Sequence, residues 1–417
     1  SPILKMRCVI WRLKANLPMG LKLSPFTMNF VKSIAIMKYA WLWRILIPQR
    51  WTLIVIPNNP HHRANVPKLR LAINGFGRIG RNVLRAYLQQ LSTFGHIEIV
   101  AINDIADNQM LLHLLKFDST HGRFDQGDHN AAQVSLTTNQ DNSYLTITKG
   151  ELLHQILLLS CDEPKYLPWA DLNVDVVLEC TGQFRSYADA NRHRTAGAKQ
   201  VIIGAAPFDR VDASIVIGVN DHKLHADLPI ISGVSCTTQA LVPLLSVLDD
   251  KFGIQSAMMT EIHAVTADQS VLDQAHRDFR RARASGHNII PTTSSSINAT
   301  ERVLPLMRGK INGHSIRVPT INVAAIDLTV KFNKTVSLDQ IKDALMTASQ
   351  NQLLGIMDYC DEPLVSSDFI GNSHSLIIDG QQLMMAGELA KIYAWYDNEW
   401  GYANRLLDMC QKLADLR

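Results

Sequence analysis

The 417-residue chain is 47% hydrophobic and 19% charged, the composition of a soluble globular protein with room for two domains. Its formal charge of +3 hides an asymmetry: residues 1–69 carry eleven Lys or Arg and no acid, leaving thirty bases against 38 acids (net −8) in a remainder that gives no sign of binding nucleic acid. Six scattered cysteines (Cys8, Cys161, Cys180, Cys236, Cys360 and Cys410) without a CxxC pair argue against a disulfide framework or a metal site and fit a reducing, cytoplasmic compartment.

Residues 1–68 are atypical: acid-free, rich in tryptophan (Trp11, Trp41, Trp43, Trp51) and without a helical or strand period. Their most apolar stretch, 34–57, is interrupted by Lys38, Arg44, Pro48 and Arg50, short of the about 18 apolar residues that a spanning helix needs. Neither a compact signal core nor the serine content of a transit peptide is present. The expectation is an extension of the reading frame, with true initiation near Val66. The rival is a peripheral membrane anchor built from the basic and Trp residues.

A coherent α/β pattern begins at Lys68. Residues 69–74 read as a short buried strand ending at Asn74. Gly75, Gly77 and Gly80 then match G-x-G-x-x-G with Phe76, Arg78 and Ile79 between them, and 79–90 reads as a helix. Glycines there permit a tight turn, backbone approach to a pyrophosphate and close helix–strand packing, while the helix N-terminus attracts phosphate. A second strand, 97–102, ends at Asn103-Asp104. Asp104 follows Gly80 by 24 residues, where a ribose-binding carboxylate belongs and where it would repel a 2′-phosphate, so NAD is expected over NADP. The alternative is a glycine turn in an ordinary βα unit with Asp104 as a helix cap. Further strands are expected at 174–179 and 200–203, with Thr181-Gly182 at a strand end that suits ligand contact.

Residues 229–234 read as a strand and 238–252 as a helix, which puts Ser235-Cys236-Thr237-Thr238 at a strand-to-helix turn. A helix N-terminus there is expected to favour the Cys236 thiolate. Most cysteines are small buried hydrophobes, but the hydroxyl neighbours favour a nucleophile. His263, near the end of a strand expected at 257–265, is the candidate base, and Glu261 on the same face is expected to raise its pKa if the two are close. Arg277, Arg280, Arg281 and Arg283 lead into Thr292-Thr293-Ser294-Ser295-Ser296. That combination suits phosphate oxygens, or equally a solvated basic loop. Arg317 is expected to open an apolar strand over 317–332, facing a cleft. More strands are expected at 375–385 and 389–396, and a final helix with Tyr402, Leu406, Cys410 and Leu413 on one stripe.

Taken in order, these motifs, with Tyr396-Asp397-Asn398-Glu399-Trp400-Gly401, resemble the glyceraldehyde-3-phosphate dehydrogenase family over about residues 68–417. The stretches 101–107, 117–124 and 320–323, together with 397–401, resemble its erythrose-4-phosphate dehydrogenase branch; Ile321 stands where the glyceraldehyde branch commonly has Pro. The resemblance implies a Rossmann-type doubly wound parallel sheet over 69–235 and an α+β catalytic domain with a mostly antiparallel sheet over 236–397. It also implies a C-terminal helix, 398–417, returning to the NAD domain, and a homotetramer. Cys236 would be the nucleophile and His263 its activator. Arg78 and Ile79 would line the cofactor diphosphate, and Asn398 would orient the nicotinamide amide. Thr266 and Arg317 would hold the substrate phosphate, with Ser235, Thr237, Arg281, Ser294 and Ser295 forming a second anion site. The sequence departs from the family at Gln239, Ala240, Asp162 and Ser294-Ser295. The last change leaves water and phosphate both open as the deacylating nucleophile.

The reaction expected is oxidation of a phosphorylated aldose through a Cys236 thioester, with erythrose 4-phosphate as substrate and 4-phosphoerythronate as product in pyridoxal phosphate synthesis. The alternative is the phosphorylating glycolytic reaction on glyceraldehyde 3-phosphate. A non-catalytic NAD-binding regulatory protein is the rival from another class, against which the intact Cys236, His263 and Asn398 speak.

Overall fold

The computed structural model describes residues 68–124, 132–140, 142–150 and 152–417. The expectations for the leader fall on residues outside these.

The first sheet has nine strands. β1 (Leu69–Asn74), β2 (Ile97–Asn103), β8 (Val176–Glu179), β9 (Gln200–Ile203), β10 (Ala213–Ser214) and β11 (Ile230–Ser232) run parallel, as does the join of β2 to β7 (Leu152–Leu159). β5 (Gln133–Asn139) and β6 (Asn142–Lys149) add antiparallel strands beyond β7, giving the order β10-β11-β9-β8-β1-β2-β7-β6-β5. A short hairpin of β3 (Phe117–Asp118) and β4 (Gly122–Arg123) stands apart. The sheet is doubly wound: β1 lies between β2 and β8, so the strand order reverses there and a crevice opens beyond the strands' C-terminal ends. β1 and β8 are buried nearly throughout, as strands covered on both faces must be. Helices α1 (Arg78–Gln89), α2 (Asn108–Lys116) and α3 (Tyr187–Thr195) belong to this half. The Asp107 carboxylate caps α2 by accepting from the Gln109 and Met110 N–H groups.

The second sheet follows α4 (Cys236–Phe252). It contains β12 (Ile254–Ala264), β13 (Ile290–Thr292), β14 (Ile311–Val318), β15 (Ala324–Phe332), β16 (Met357–Cys360), β17 (Leu376–Asp379), β18 (Met384–Ala386) and β19 (Leu389–Tyr396). Only the β12–β14 and β16–β17 pairs are parallel among the described pairings. Helices α5 (Ser296–Val303) and α6 (Leu338–Gln350) accompany it. The final helix, α7 (Trp400–Asp415), packs on α1 and buries Tyr402, Leu406, Cys410 and Leu413, while Gln90 donates to Asn404 at 2.7 Å.

Two expectations need correction. The strand expected over 317–332 is two strands, because Pro319 has no N–H for the ladder and Val323 turns the chain at a φ of 70°. Arg317 therefore sits near the end of β14 rather than opening a strand. Residues 375–385 are likewise divided, into β17 and β18, by a turn of 3₁₀ helix at Gly380–Gln382. Residues 133–159, for which the sequence analysis offers no element, supply three strands whose exposed-face residues blur the apolar alternation.

Candidate active site

The glycine turn lies at the end of β1. Gly75 has a φ of 92°, and a Cβ there would stand 2.7 Å from the Thr181 nitrogen; a Cβ on Gly80 would stand 2.2 Å from the Gly75 carbonyl oxygen. These two glycines bring the turn, the β8 end and α1 together, whereas Gly77 opens on free space. The first helical bond of α1 runs from the Arg81 N–H to the Gly77 carbonyl, so the N–H groups of Arg78 and Ile79 have no partner within the helix and are placed to bind an anion. Asp104 accepts from the Phe76 N–H at 2.7 Å and from the Ala106 N–H at 2.9 Å, which fixes its carboxylate beside the turn. Gly182 takes a φ of 71° just past Thr181.

The side chains of two residues expected at the cofactor are engaged within the protein. Asn74 is buried beneath the turn, donating to Glu179 at 2.6 Å and accepting from Asn103 at 2.7 Å, so its amide supports the strand ends and does not face a ligand. The Arg78 guanidinium is spent on Asp118 and Glu399, donating to Glu399 Oε1 at 2.8 Å through Nε. Only its backbone remains for a diphosphate. Asn398 differs: it is 6% exposed, and its Oδ1 has no hydrogen-bond partner among the described residues. A buried, unpaired amide oxygen calls for a ligand donor, as a carboxamide N–H₂ would be. The residues present thus fit a nicotinamide dinucleotide.

Cys236 is the first residue of α4, and Ser235 is its N-cap, accepting from the Thr238 N–H at 3.1 Å. Cys236 Sγ lies 3.6 Å from His263 Nε2. β12 carries His263, and Arg317 is its register partner on β14. His263 Nδ1 is 2.7 Å from the Ala264 carbonyl and 2.8 Å from Arg317 Nη1. An Nδ1–H donated to the carbonyl leaves the Nε2 lone pair facing the thiol; the Arg317 guanidinium can only donate, so its bond to Nδ1 belongs to the other tautomer, in which Nε2 carries the proton and no base faces Cys236.

Burial pushes the Cys236 thiol up, and Glu261 adds to it, against the weaker pull of Thr237 and Arg317. The expected depression at the helix N-terminus is therefore outweighed by desolvation. Burial also pushes the His263 imidazole down, and Arg317 does the same. Glu261 does lie close, 3.8 Å from Nε2, but the raised imidazole pKa expected from it does not result. Both shifts favour the neutral thiol and the neutral imidazole.

The phosphate residues divide. Arg317 Nε is buried without a partner among the described residues, a vacancy that an oxyanion would satisfy. Thr266 lies in the loop just beyond β12, its N–H reaching Gln269 at 3.3 Å. Most side chains expected at the second anion site have protein partners. The Ser235 hydroxyl is 2.8 Å from that of Thr238, and Thr237 is taken by Glu261 (2.7 Å) and Tyr396 (2.8 Å). Arg281 is paired with Asp268 and Asp278, though it also reaches the Thr293 carbonyl at 3.3 Å. Ser294 bonds Ser296 at 2.6 Å, and Ser295 precedes α5 with no capping bond of its own.

Four further residues at the site, Glu399, Asp118, His121 and Tyr396, have no expected role. Glu399 receives Arg78 and lies 3.2 Å from His121 Nε2, joining residues 278 and 321 positions apart; no local spacing signals such a contact.

The family model described as "Glyceraldehyde 3-phosphate dehydrogenase, NAD binding domain" matches residues 69–187, and the one for the C-terminal domain of the same family matches residues 235–398. A curated "Glyceraldehyde-3-phosphate dehydrogenase" from Priestia megaterium (strain DSM 319 / IMG 1521) is 45% identical over 349 residues, covering 83% of this chain and 98% of the relative. "Glyceraldehyde-3-phosphate dehydrogenase 1" of Bacillus subtilis (strain 168) is 44% identical with the same coverage. The Mycobacterium tuberculosis (strain ATCC 25618 / H37Rv) protein of that name is 46% identical over 342 residues, covering 82% of this chain and 97% of the relative.

Proposed function

The chain belongs to the glyceraldehyde-3-phosphate dehydrogenase family and is an NAD-dependent dehydrogenase of that type, and from this premise we propose that its reaction is the phosphorylating oxidation of glyceraldehyde 3-phosphate. The observation that carries the chemistry is the 3.6 Å approach of Cys236 Sγ to His263 Nε2 at the start of α4. The names of the relatives favour glyceraldehyde 3-phosphate over the erythrose 4-phosphate expected from the sequence stretches.

His263 Nε2 takes the thiol proton as Sγ bonds the aldehyde carbon, and returns it to the new oxygen to give a hemithioacetal. NAD, held by the Gly75–Gly80 turn, Asp104 and Asn398, supplies the hydride acceptor when bound. His263 removes the hydroxyl proton as hydride leaves the carbon, and the carbonyl re-forms as a thioester on Cys236. Arg317 and Thr266 are the residues proposed to hold the substrate phosphate. An inorganic phosphate oxygen then attacks the thioester, Cys236 leaves as thiolate, and a proton from His263 resets it. Arg281 and the Ser294-Ser295 turn are the residues proposed to receive that phosphate, with Asp268 displaced from Arg281. A homotetramer is part of the proposal. Its support is a run of exposed apolar side chains (Val271, Leu272, Phe279, Ile289) between β12 and β13, a surface that suits a partner subunit. The scattered free cysteines support a cytoplasmic location.

The test is to mix enzyme, NAD and glyceraldehyde 3-phosphate without inorganic phosphate, quench in acid, and weigh the Cys236 peptide. An acyl adduct on Cys236 that disappears on adding phosphate is expected. An unmodified peptide alongside NADH production would remove the thioester mechanism.

A further inference from the structure

A buried carboxylate stands inside the nucleophile's network and takes no part in the steps above. Glu261 precedes His263 by two residues on β12, so both point to the same side of the strand. It is 3% exposed. Its Oε1 accepts from the Thr237 hydroxyl at 2.7 Å and lies 3.8 Å from His263 Nε2, the nitrogen that faces Cys236. Its Oε2 is buried with no hydrogen-bond partner among the described residues. A carboxylate so enclosed is costly unless a positive charge forms beside it.

We propose that Glu261 is a positioning residue that strengthens His263 as proton acceptor in the oxidation step, when His263 alone becomes charged. The inference rests on the reading of Cys236 as nucleophile and His263 as base. When a proton passes from Cys236 to His263, a thiolate and an imidazolium form together. Glu261 repels the first and attracts the second, so its effects oppose one another. Once Sγ is bonded to the aldehyde carbon, no thiolate charge remains. His263 alone becomes charged as it takes the hydroxyl proton, and Glu261 then acts with one sign.

The other groups facing the pair fit this division. Arg317, from β14, has the opposite polarity: it favours thiolate and opposes imidazolium. Tyr396, from β19, bonds Thr237 at 2.8 Å; burial first and Glu261 second push its ionisation far up, so it stays a neutral phenol. Glu399, ahead of α7, adds a further favourable charge for the imidazolium. Thr237, from α4, links the carboxylate to the residue next to the nucleophile.

The test uses the full chain carrying Glu261→Gln and two readouts. Iodoacetamide alkylation of Cys236 without substrate, followed by the mass of its peptide, depends on no assumption about the aldehyde. It should change less than about twofold at neutral pH, because the effects on thiolate and imidazolium oppose one another. Single-turnover NADH formation should slow roughly tenfold, with its acid limb displaced to lower pH, as loss of a neighbouring negative charge requires. Glu261→Asp, which keeps the charge, should return NADH formation toward wild type. Slowing confined to NADH formation is the mark of the charge, since damaged packing would slow both together. Parallel slowing, or no change in NADH formation, overturns the proposal. If Glu261→Gln does not fold, Glu261→Asp alone decides, because NADH formation slowed about tenfold with the charge kept contradicts a charge role. Failure of the reaction assignment would look different: no NADH from wild type with any aldehyde, while Cys236 is still alkylated.

Discussion

At the scale of single residues, the chemistry depends on a proton moving between two groups that burial holds neutral. Replacing His263 with Asn removes the acceptor, and single-turnover NADH formation should fall roughly 10²–10⁴-fold, with substrate affinity little changed. Because burial and Arg317 push the imidazole down, it is unprotonated and competent throughout the neutral range. The acid limb of wild-type hydride transfer should then lie below the ordinary imidazole value of about 6.5. A limb at or above that value would mean that Glu261 outweighs burial. The placement of Cys236 at a helix start and of His263 near a strand end was legible in the sequence, from the hydroxyl neighbours at a strand-to-helix turn and from the apolar strand. The partners of Thr237 were not, because Glu261 and Tyr396 come from 24 and 159 residues away. Distant contacts of this kind leave no trace in local spacing.

At the scale of elements, the β1–α1–β2 unit was legible almost to the residue, since buried apolar strands, a glycine turn and a spaced carboxylate each have a local cause. Gly75→Ala should test it. A side chain at a φ of 92° and 2.7 Å from the Thr181 nitrogen should cost about 1–3 kcal/mol of stability, and NAD affinity should fall with it in a fluorescence titration. The tie between α1 and the chain before α7 was not legible, because Arg78, Asp118 and Glu399 meet only in the fold. Burial opposes ionisation of Asp118, but the backbone N–H groups of His121 and Thr120 and the Arg78 guanidinium bring its carboxyl down to about 2. Glu399 is lowered as well, by Arg78 and His121 acting against burial. A carboxyl depressed on folding stabilises the protein above its unfolded pKa near 4 and loses that contribution as pH falls toward 2. Asp118→Asn should therefore lower the stability measured by urea unfolding at pH 7 by about 1 kcal/mol once solvent screening is allowed for, and the gap to wild type should narrow below pH 4 and close only near pH 2. A gap that does not narrow between pH 4 and pH 2 would assign the effect to packing.

At the scale of the whole molecule, a doubly wound sheet places a dinucleotide crevice at the end of β1 while the second sheet aligns His263 with Arg317 on adjacent strands. The class of each sheet was legible from strand spacing and from the family resemblance. The stretches that suggest a branch of the family, such as 320–323 in the loop between β14 and β15, rest on resemblance alone, and the names of the relatives favour the other branch. The central claim is a dehydrogenase that passes its acyl group from Cys236 to inorganic phosphate. The most direct measurement is NADH formation by the full chain with glyceraldehyde 3-phosphate and with erythrose 4-phosphate, each with and without inorganic phosphate, and with Cys236→Ser as control. Multiple turnovers of glyceraldehyde 3-phosphate only when phosphate is present, abolished by the substitution, are predicted. Phosphate-independent turnover with erythrose 4-phosphate preferred would contradict the account and make water the acceptor.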